Sequence, residues 1–553
     1  MMFRRISLTH KSIMSILLGT VLLASAIVYP DPVPVQAAVF VHPGLLNTQT
    51  SLERMRDIAN ADSFSAMNQG YSKMTEDRHA KTSYAQQAYA VVDAVAAGSS
   101  SSEIRFRDDA QAVYAMALEW VKTGNSTYLN KSKQILNDWA STFTQMTSTS
   151  TVQPALEASW ALPIWVNAAE IIRHFGNGSG GWSSSEIAAF ESFVRKVMTY
   201  VDGPYSNVPN WRASIALARM SAGVFLNDTT IYNRGLGNME DEINIIGSDG
   251  TPPENTRDLP HSQANIIATA QGAETAYNQG DSSLFLQGAS STQMPLLWRQ
   301  SEYYVKELMG TGGAVNYSSD VATLNRFGDP PYEILLSRYK HTFNMPIPDT
   351  ENWVLQANRP NYMGESYFIN WLTATHAAVP AKVFVNVNYT GTSAELPAGA
   401  YTLSQLLALG IPNDSISSIM VSPGYRLIGY QNYDFSGTSS TFNSDDDSLV
   451  DDGYNDEWSS IKVEVIPPRV YTDVNYSGNS IELPIGTYTM SQLIARGIAN
   501  DSISSLRVPY GFRVTGYAND NFTGDVMVFT QNDSTLVDNG FNDKLSSIRV
   551  EPL

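Results

Sequence analysis

One polar stretch of the sequence reads Asp249-Gly-Thr-Pro-Pro-Glu-Asn-Thr-Arg-Asp-Leu-Pro-His261, and it lies between two helical patterns. It holds more charged and amide groups than a simple connection between helices requires. Two further polar segments frame it, an upstream one that reads Asn207-Val-Pro-Asn-Trp-Arg212 and a downstream one that reads Gly312-Gly-Ala-Val-Asn-Tyr317. We expect the three segments to meet at one cleft, and the rest of the chain to be organised around it.

Residues 39–378 have the apolar spacing of helices on both sides of this stretch. Apolar residues recur every three or four positions, and glycine and proline cluster between the periodic segments. Ser183 and Glu186 have the spacing of a capping box. Because strand-like alternation is nearly absent, an all-α domain of helical hairpins is predicted. The predicted helices include residues 108–121, 128–146, 156–175, 187–200, 211–225, 262–279 and 293–309.

The pattern changes near residue 382 to short β-branched and aromatic runs separated by glycine, asparagine and aspartate. An internal repeat is visible here, because residues 383–391 match residues 470–478 and residues 401–406 match residues 488–493, each at an offset of 87. Two copies of one all-β domain are therefore predicted, at residues 382–466 and 469–553. Prolines at 380, 467 and 468 mark the boundaries.

The composition favours a folded multidomain protein that does not bind nucleic acid. The 553 residues exceed the usual size of one domain, and the absence of cysteine excludes disulfides and thiolate chemistry. The net charge is −19, whereas a nucleic-acid binder is expected to have a basic surplus. Long-range charge would also repel a polyanionic substrate, so a site for an acidic polymer must be locally basic.

Residues 1–37 have the pattern of an export signal. Arg4, Arg5 and Lys11 precede an apolar run from Ile13 to Val28, and Val35-Gln-Ala37 resembles a small-residue cleavage site. An uncleaved membrane anchor is the alternative. No other stretch is long and apolar enough to span a bilayer. We expect a mature protein that is secreted, monomeric and not inserted in a membrane.

Four short segments of sequence Asn-Asp-x-x-Ser-Ser recur at matched positions of the two β copies. Asparagine, aspartate and serine oxygens are hard ligands that suit Ca²⁺. A turn in which these side chains bond to the backbone is the alternative. The predicted ligands are Asn413, Asp414, Ser417, Asn455, Asp456, Ser459, Asn500, Asp501, Ser504, Asn542, Asp543 and Ser546.

With these segments, each copy resembles the βγ-crystallin domain, in which such a motif occurs once per Greek-key unit. The resemblance covers residues 382–466 and 469–553, and all four segments match. It implies a two-sheet Greek-key sandwich that binds two Ca²⁺ ions, each held by residues from both segments of a copy.

The helical region carries the residue types needed to cleave a polyuronate by β-elimination. In that reaction a base removes the proton on C5, beside the carboxylate, and the C4 oxygen leaves. The enzyme must neutralise the carboxylate and place a base and an acid within hydrogen-bond reach. Asn210 and Arg257 suit the first role, and His261 and Tyr317 suit the second. Because free tyrosine has a pKa of about 10, Arg257 or Arg326 would have to favour the phenolate.

The helical region is similar to the alginate lyase superfamily of (α/α) toroid polysaccharide lyases. The resemblance rests on His42-Pro-Gly44, Asn207-x-x-Asn210-Trp211, Glu254-x-x-Arg257-Asp258-x-x-His261 and the glycine-rich segment ending at Tyr317. It implies an incomplete toroid with a central cleft and elimination that needs no cofactor. By this resemblance Asn210 neutralises the carboxylate, His261 is a base or neutraliser, and Tyr317 is the acid. Some members carry histidine where this chain has Trp211, so two mechanisms stay open. In a syn elimination Tyr317 alone would act, and in an anti elimination His261 would act from the side opposite Tyr317.

The four catalytic candidates also have structural alternatives. Asn210 could cap a helix that begins at Trp211, and Arg257 with Asp258 could be a structural ion pair. His261 could be a packed core histidine or the neighbour of an N-cap. The role of Tyr317 could instead belong to Tyr205, Tyr303 or Tyr304.

The predicted substrate-binding residues are Trp160, Trp211, Glu254, Asp258 and Arg326. The two tryptophans could form platforms for sugar rings, and packing in the helical core is the alternative.

The predicted function is an exported lyase that acts on alginate or a related glucuronan-type polymer. A glycoside hydrolase is one alternative; it needs two carboxylates that flank the bond, for which Glu254 with Asp258 or Glu333 could be proposed. A non-catalytic, calcium-dependent carbohydrate-binding or matrix protein is the other. The lyase is preferred because three segments together supply every role that elimination requires.

Overall fold

The computed structural model describes residues 40–61, 65–96, 99–310, 331–343, 345–355, 367–509, 512–530 and 532–552. The expected change from a helix-rich to a β-rich region is confirmed, because the last helix of the first region ends at His376 and the first long strand of the second begins at Ala381. The described helices are α1 (Gln49–Ala61), α2 (Ala66–Glu76), α3 (Ser101–Thr123), α4 (Ser126–Thr142), α5 (Gln153–Gly178), α6 (Ser184–Val201), α7 (Pro209–Phe225), α8 (Thr229–Asn244), α9 (Leu259–Asn278), α10 (Ser283–Leu286), α11 (Leu296–Leu308), α12 (Tyr332–Leu336), α13 (Pro348–Trp353) and α14 (Leu372–His376).

Helices α5, α7 and α9 form the centre of the helical region. Most of their residues are buried on every face, as expected for helices that are surrounded by others rather than lying on a surface. Helix α7 packs against α5, α8 and α9, and α3 packs against α5. Because α8 leads the chain back along α7, helices α7 and α9 both begin at the same end of this core.

Helix boundaries follow local capping chemistry. The predicted capping box is confirmed, since the Ser183 side chain accepts from the Glu186 amide while the Glu186 side chain accepts from the Ser183 amide. Helix α3 ends at Thr123 and is capped by Gly124, whose φ of 67° lies in the left-handed region that glycine tolerates.

Two parts of the helical prediction are wrong. Helix α4 ends at Thr142 rather than near 146, because the chain turns into strand β2 (Gln145–Thr147), which pairs in parallel with β1 (Val91–Asp93). Helix α8 was not predicted, because two glycines at 235 and 237 interrupt its apolar pattern. One of them serves packing: a Cβ added at Gly235 would lie 2.7 Å from the backbone nitrogen of Met220 on α7.

The β-rich region holds two units with the same strand order, each with a core of its own. In unit 1 the sheets run β4-β3-β6 and β5-β9-β7-β8, and in unit 2 they run β11-β10-β13 and β12-β16-β14-β15. All these strand pairs are antiparallel. The strands are β3 (Ala381–Asn386), β4 (Thr390–Leu396), β5 (Gly399–Tyr401), β6 (Ser418–Val421), β7 (Tyr425–Tyr430), β8 (Ser439–Phe442), β9 (Ser460–Val465), β10 (Arg469–Asp473), β11 (Ser477–Glu482), β12 (Gly486–Tyr488), β13 (Ser505–Arg507), β14 (Phe512–Asn519), β15 (Thr523–Phe529) and β16 (Ser547–Pro552), with short helices α15 (Leu403–Ala408), α16 (Leu449–Asp452) and α17 (Met490–Ala495) between them.

Among the described helices, none combines the length and the apolar character needed to cross a membrane. The predicted signal segment, residues 1–37, lies outside the described residues.

Candidate functional site

The first two of the three polar segments meet at the start of helices α7 and α9. The backbone amide of Asn210, in the first turn of α7, donates a 3.1 Å hydrogen bond to Glu254 Oε1. The N-cap position of α7 is Val208, which offers no capping side chain, so Glu254 supplies the acceptor from the neighbouring loop. Glu254 is only 5% exposed. It therefore joins the two segments rather than presenting a free carboxylate.

Asp258 and His261 form a hydrogen-bonded pair at the start of α9. Asp258 is the N-cap, and its Oδ1 accepts from the His261 backbone amide at 2.8 Å. The ring nitrogen Nδ1 of His261 lies 2.6 Å from Asp258 Oδ1 and 2.7 Å from Oδ2. A carboxylate at this position holds the proton on Nδ1, which puts the lone pair of the neutral ring on Nε2. This arrangement fixes the tautomer and the orientation of the ring.

Arg257 supplies a cation beside this pair. Its side chain is 43% exposed, with Nη1 4.0 Å from Glu254 Oε2 and Nε 4.0 Å from Asp258 Oδ2. Both separations exceed hydrogen-bond length, so the predicted structural ion pair with Asp258 is loose. The guanidinium thus keeps donors available for an anionic group.

Asn210 is almost completely buried, and its side-chain oxygen Oδ1 has no hydrogen-bond partner among the described residues. The alternative that its side chain caps a helix starting at Trp211 is wrong, because α7 already begins at Pro209. A buried amide oxygen without a partner is costly, which is typical of a group placed for a ligand.

The remaining candidates are dispersed. Tyr317 and Arg326 lie outside the described residues. The Tyr304 hydroxyl is buried and donates to the Leu259 carbonyl at 2.8 Å, so it is engaged in holding the start of α9. Tyr205 is 38% exposed, and Trp211 is partly buried against the helical core.

Trp160 belongs to a buried aromatic and ionic cluster. It is 6% exposed, and its ring meets Tyr367 edge to face at 4.5 Å. The Tyr367 ring also lies under the Arg107 guanidinium at 4.4 Å, and Arg107 donates to Glu157. Burial raises the pKa of Glu157 to about 7, against the lowering effect of Arg107. This placement fits the packing alternative for Trp160 better than an exposed sugar platform.

The four Asn-Asp-x-x-Ser-Ser segments form a second candidate site in each β unit. In unit 1 the Ser417 hydroxyl donates to Asp456 Oδ1 at 3.3 Å, and the Ser459 hydroxyl donates to Asp414 Oδ1 at 3.1 Å. Each pair therefore joins one residue from the first segment with one from the second. In unit 2 the Ser504–Asp543 and Ser546–Asp501 pairs repeat this arrangement, both at 3.0 Å.

The backbone has the same conformation at the aspartate of all four segments. All four aspartates have φ between 47° and 57°, a left-handed conformation that aspartate and asparagine tolerate better than most residues. The preceding asparagine donates from Nδ2 to the second aspartate oxygen at 2.6–2.8 Å in every segment. Oδ1 of each aspartate thus faces the serine of the other segment.

Models of known protein families match both the helix-rich and the β-rich region of the chain. The alginate lyase family model matches residues 53–294, and the beta/gamma crystallin model matches residues 426–508. Development-specific protein S of Myxococcus xanthus is 38% identical over 172 residues, which cover 30% of this chain and 96% of that protein. The chain belongs to the βγ-crystallin family. The Asn210 and Asp258–His261 segments lie within its alginate lyase domain.

Two further relatives share the βγ-crystallin part. A development-specific protein S homolog, also from Myxococcus xanthus, is 37% identical over 175 residues, which cover 31% of this chain and 97% of that protein. A solved βγ-crystallin domain from Flavobacterium johnsoniae is 44% identical and covers 15% of this chain and 93% of that chain, with a TM-score of 0.15.

The alginate lyase domain also contains a polar pocket whose residues the sequence analysis did not bring together. Arg212 donates to Glu242, and both line a pocket of about 390 Å³ between α7 and α8. Tyr205 and Arg219 line the same pocket. Arg212 adjoins the predicted Asn210-Trp211 segment, but Glu242 belongs to the unpredicted helix α8, so no sequence signal paired them.

Proposed function

We propose that the alginate lyase domain cleaves an acidic polysaccharide, alginate or a related polyuronate, by β-elimination. The observation that carries this proposal is the Asp258–His261 pair, held at the start of α9 beside the exposed guanidinium of Arg257. A base of fixed tautomer next to an available cation is the combination that abstraction of a proton beside a carboxylate requires.

The residues at the start of α7 and α9 would neutralise the charge of the substrate carboxylate. The substrate carboxylate would accept from Arg257 and from the Asn210 side-chain Nδ2, whereas the unpartnered Asn210 Oδ1 would accept from a hydroxyl of the sugar. Two helix N-termini add partial positive charge there. Hydrogen bonds to the Asn210 amide would be stronger than in open water, because the residue is almost completely buried. The charged side chains assigned to this site are Arg257, Glu254 and Asp258, so the guanidinium and the two helix N-termini, rather than a surplus of basic residues, would have to attract the polyanion.

Proton transfer is assigned to His261 and Tyr317. Nε2 of His261 would accept the C5 proton in an anti elimination, with Asp258 stabilising the imidazolium that forms. Tyr317, which lies outside the described residues, would donate to the C4 oxygen, and in a syn elimination it would serve as base and acid. We expect no metal or cofactor in this step.

The architecture proposed for this domain is an incomplete (α/α) toroid whose cleft lies at the shared start of α7 and α9. The alternative glycoside hydrolase has less support. Glu254 is tied to a backbone amide, Asp258 is tied to His261, and Glu333 is 1% exposed, so none of them is a free carboxylate.

Both β units are proposed to be calcium-binding βγ-crystallin domains of the Greek-key type. The matched length of 172 residues in protein S is about twice that of either unit, which supports two such domains. The paired serine and aspartate oxygens lie 3.0–3.3 Å apart, a separation that one Ca²⁺ at about 2.3–2.6 Å from each can bridge. The ion would crosslink the two segments. By mass action it would stabilise a unit by about 2.7 kcal/mol per site at a hundredfold excess over Kd.

Secretion is part of the proposal. It rests on the signal-like residues 1–37 and on a requirement for calcium, which is abundant outside cells.

The activity is tested by ultraviolet absorbance on a panel of mannuronate, guluronate and glucuronate polymers. Elimination creates a conjugated unsaturated uronate that absorbs, so we expect absorbance to rise with the full chain and not with His261→Ala. His79→Ala is the control, because it also removes a histidine whose Nδ1 is paired with an aspartate, but on a different element. New reducing ends without absorbance would instead indicate hydrolysis.

Calcium binding is tested separately by titration calorimetry on the full chain. Ser417→Ala should weaken binding at one site, whereas Ser415→Ala should not, because the Ser415 hydroxyl donates to the Pro412 carbonyl instead of an aspartate. Chelation should lower the melting temperature of the β units while turnover largely persists. Equal melting with and without chelator would reject the calcium assignment.

A further inference from the structure

A cluster of three metal-binding side chains lies at the far end of the helical core from the candidate catalytic site. It consists of His42, which precedes α1, and of Glu170 and His174, which lie one turn apart on α5. One ligand atom from each residue lies within 4.8 Å of the other two. Neither the proposed elimination nor the calcium segments use these residues.

The hydrogen bonds of His42 place an electron-rich ring nitrogen against a carboxylate. Its Nε2 lies 3.0 Å from Asn227 Oδ1, and its Nδ1 contacts Glu170 Oε1. If Nε2 carries the proton that Asn227 accepts, the lone pair of the neutral ring is on Nδ1 and faces the carboxylate. A lone pair that faces a carboxylate is repelled, so the pair needs either a proton shared between the two atoms or, after they move apart, a metal ion that both contact.

The other half of the cluster has two buried polar atoms without hydrogen bonds in the described part of the chain. They are Glu170 Oε2 and His174 Nε2, and they lie 3.8 Å apart. The rings of His42 and His174 stack at 4.3 Å with an interplanar angle of 17°. Glu170 is 1% exposed, and its second oxygen is a buried acceptor without a regular hydrogen bond, although the Gly44 backbone amide lies near enough to favour the charged carboxylate. An ion between these atoms would satisfy both at once.

We propose that His42, Glu170 and His174 bind a first-row divalent transition metal, with Zn²⁺ as the principal occupant. Two imidazoles and one carboxylate are a ligand set suited to zinc and unsuited to Ca²⁺, which selects oxygen. Glu170 and His174 have the i, i+4 spacing that puts two ligands on one helix face. Asn227 holds the ring of His42 as an outer-shell partner. The His174 side chain is 23% exposed, and its rotation would shorten the 3.8 Å distance between its Nε2 and Glu170 Oε2.

The neighbouring cation Arg173 makes its hydrogen bonds outside the cluster, to Glu191 at 2.9 Å and to the Phe225 carbonyl at 3.3 Å. Its positive charge still acts on His42, Glu170 and His174, so a bound metal ion would have to overcome that repulsion.

This metal would be structural. Asn227 follows the end of α7, whereas Asn210 lies at its start, and a helix of 17 residues is about 25 Å long. The metal would therefore sit roughly one helix length from the candidate catalytic residues. Its effect would be to crosslink the segment before α1 to the core helix α5.

The test uses the full chain, stripped of metals and kept in saturating Ca²⁺, and titrated with Co²⁺ and with Zn²⁺. Co²⁺ bound to nitrogen ligands gives visible absorption, whereas aqueous or oxygen-bound Co²⁺ gives little. We expect one such site per chain, displaced by Zn²⁺, and a rise in the melting temperature on adding Zn²⁺.

His174→Gln should weaken Co²⁺ binding at least tenfold and abolish the rise in melting temperature. His79→Gln is the matched control and should retain both, because its ring contacts aspartates rather than a second histidine. Each variant is compared with its own metal-free melting temperature, because His174→Gln also removes the ring that stacks on His42. Unchanged Co²⁺ absorption in His174→Gln, or no absorption in wild type, would overturn the proposal and leave a His42–Glu170 ion pair.

Discussion

Replacing Asp258 by asparagine separates its two tasks, helix capping and orientation of His261. Asparagine caps helices about as well as aspartate, so the free energy of unfolding should change by less than about 0.5 kcal/mol. The substituted amide can donate to Nδ1, however, which would move the ring proton of His261 to Nε2 and remove the lone pair needed by a base. Because general base catalysis contributes roughly 10²–10⁴-fold, kcat should fall by that factor.

The assay is initial-rate absorbance on whichever polyuronate the wild type cleaves, together with denaturant unfolding of the same preparations. Asp228→Asn is the matched control, because Asp228 caps α8 through two backbone amides and has no histidine partner. It should keep full activity. If Asp258→Asn also keeps the wild-type kcat, the assignment of His261 as an oriented base is wrong, whether or not the free energy of unfolding changes.

Three further predictions test the cation, the core packing and the acid stability. Arg257→Lys should lower kcat/KM about 10–100-fold in the absorbance assay, because a point charge replaces a two-pronged donor worth about 1.5–3 kcal/mol, and an unchanged value would remove Arg257 from substrate binding. Gly237→Ala should stabilise the chain by about 0.5–1 kcal/mol in denaturant unfolding, since nothing lies within 4 Å of the added Cβ, whereas Gly223→Ala should destabilise it, since its Cβ would lie 2.5 Å from the backbone of α8. Burial would raise the pKa of Glu274, but its paired contacts with Arg338 hold the pKa in the folded protein at about 2. This ion pair should therefore contribute stability above about pH 4.5 and lose it as the pH falls towards 2. Glu274→Gln should flatten the dependence of the unfolding free energy on pH in this range, and an unaltered dependence would refute the assignment.

The sequence predicted those parts of the molecule whose determinants are local or repeated. Helix periodicity and the Ser183–Glu186 box were sufficient for most of the helical region, because each depends on residues three or four apart. The repeat predicted matched segments in both β units, and within each unit the structure places the two segments side by side, joined by serine–aspartate hydrogen bonds. Calcium ligation by these residues stays a prediction.

Long-range pairings could not be predicted in the same way. Glu254 bonds to Asn210 across 44 positions, and His42 contacts Glu170 across 128 positions, so no local pattern signals either pairing. Helix α8 was missed because Gly235, which interrupts its apolar pattern, serves close contact with α7 rather than helical propensity. Which tyrosine acts as the acid stays a prediction, since Tyr317 lies outside the described residues.

The most direct test of the central claim is the mass of the products formed in isotope-labelled heavy-oxygen water. Elimination breaks the bond without consuming water, so each cut should leave an unsaturated end lighter by one water than a hydrolytic end, with no heavy oxygen from the solvent. Saturated products that carry one labelled oxygen per cut would contradict the account, because water rather than the His261 base would then drive cleavage.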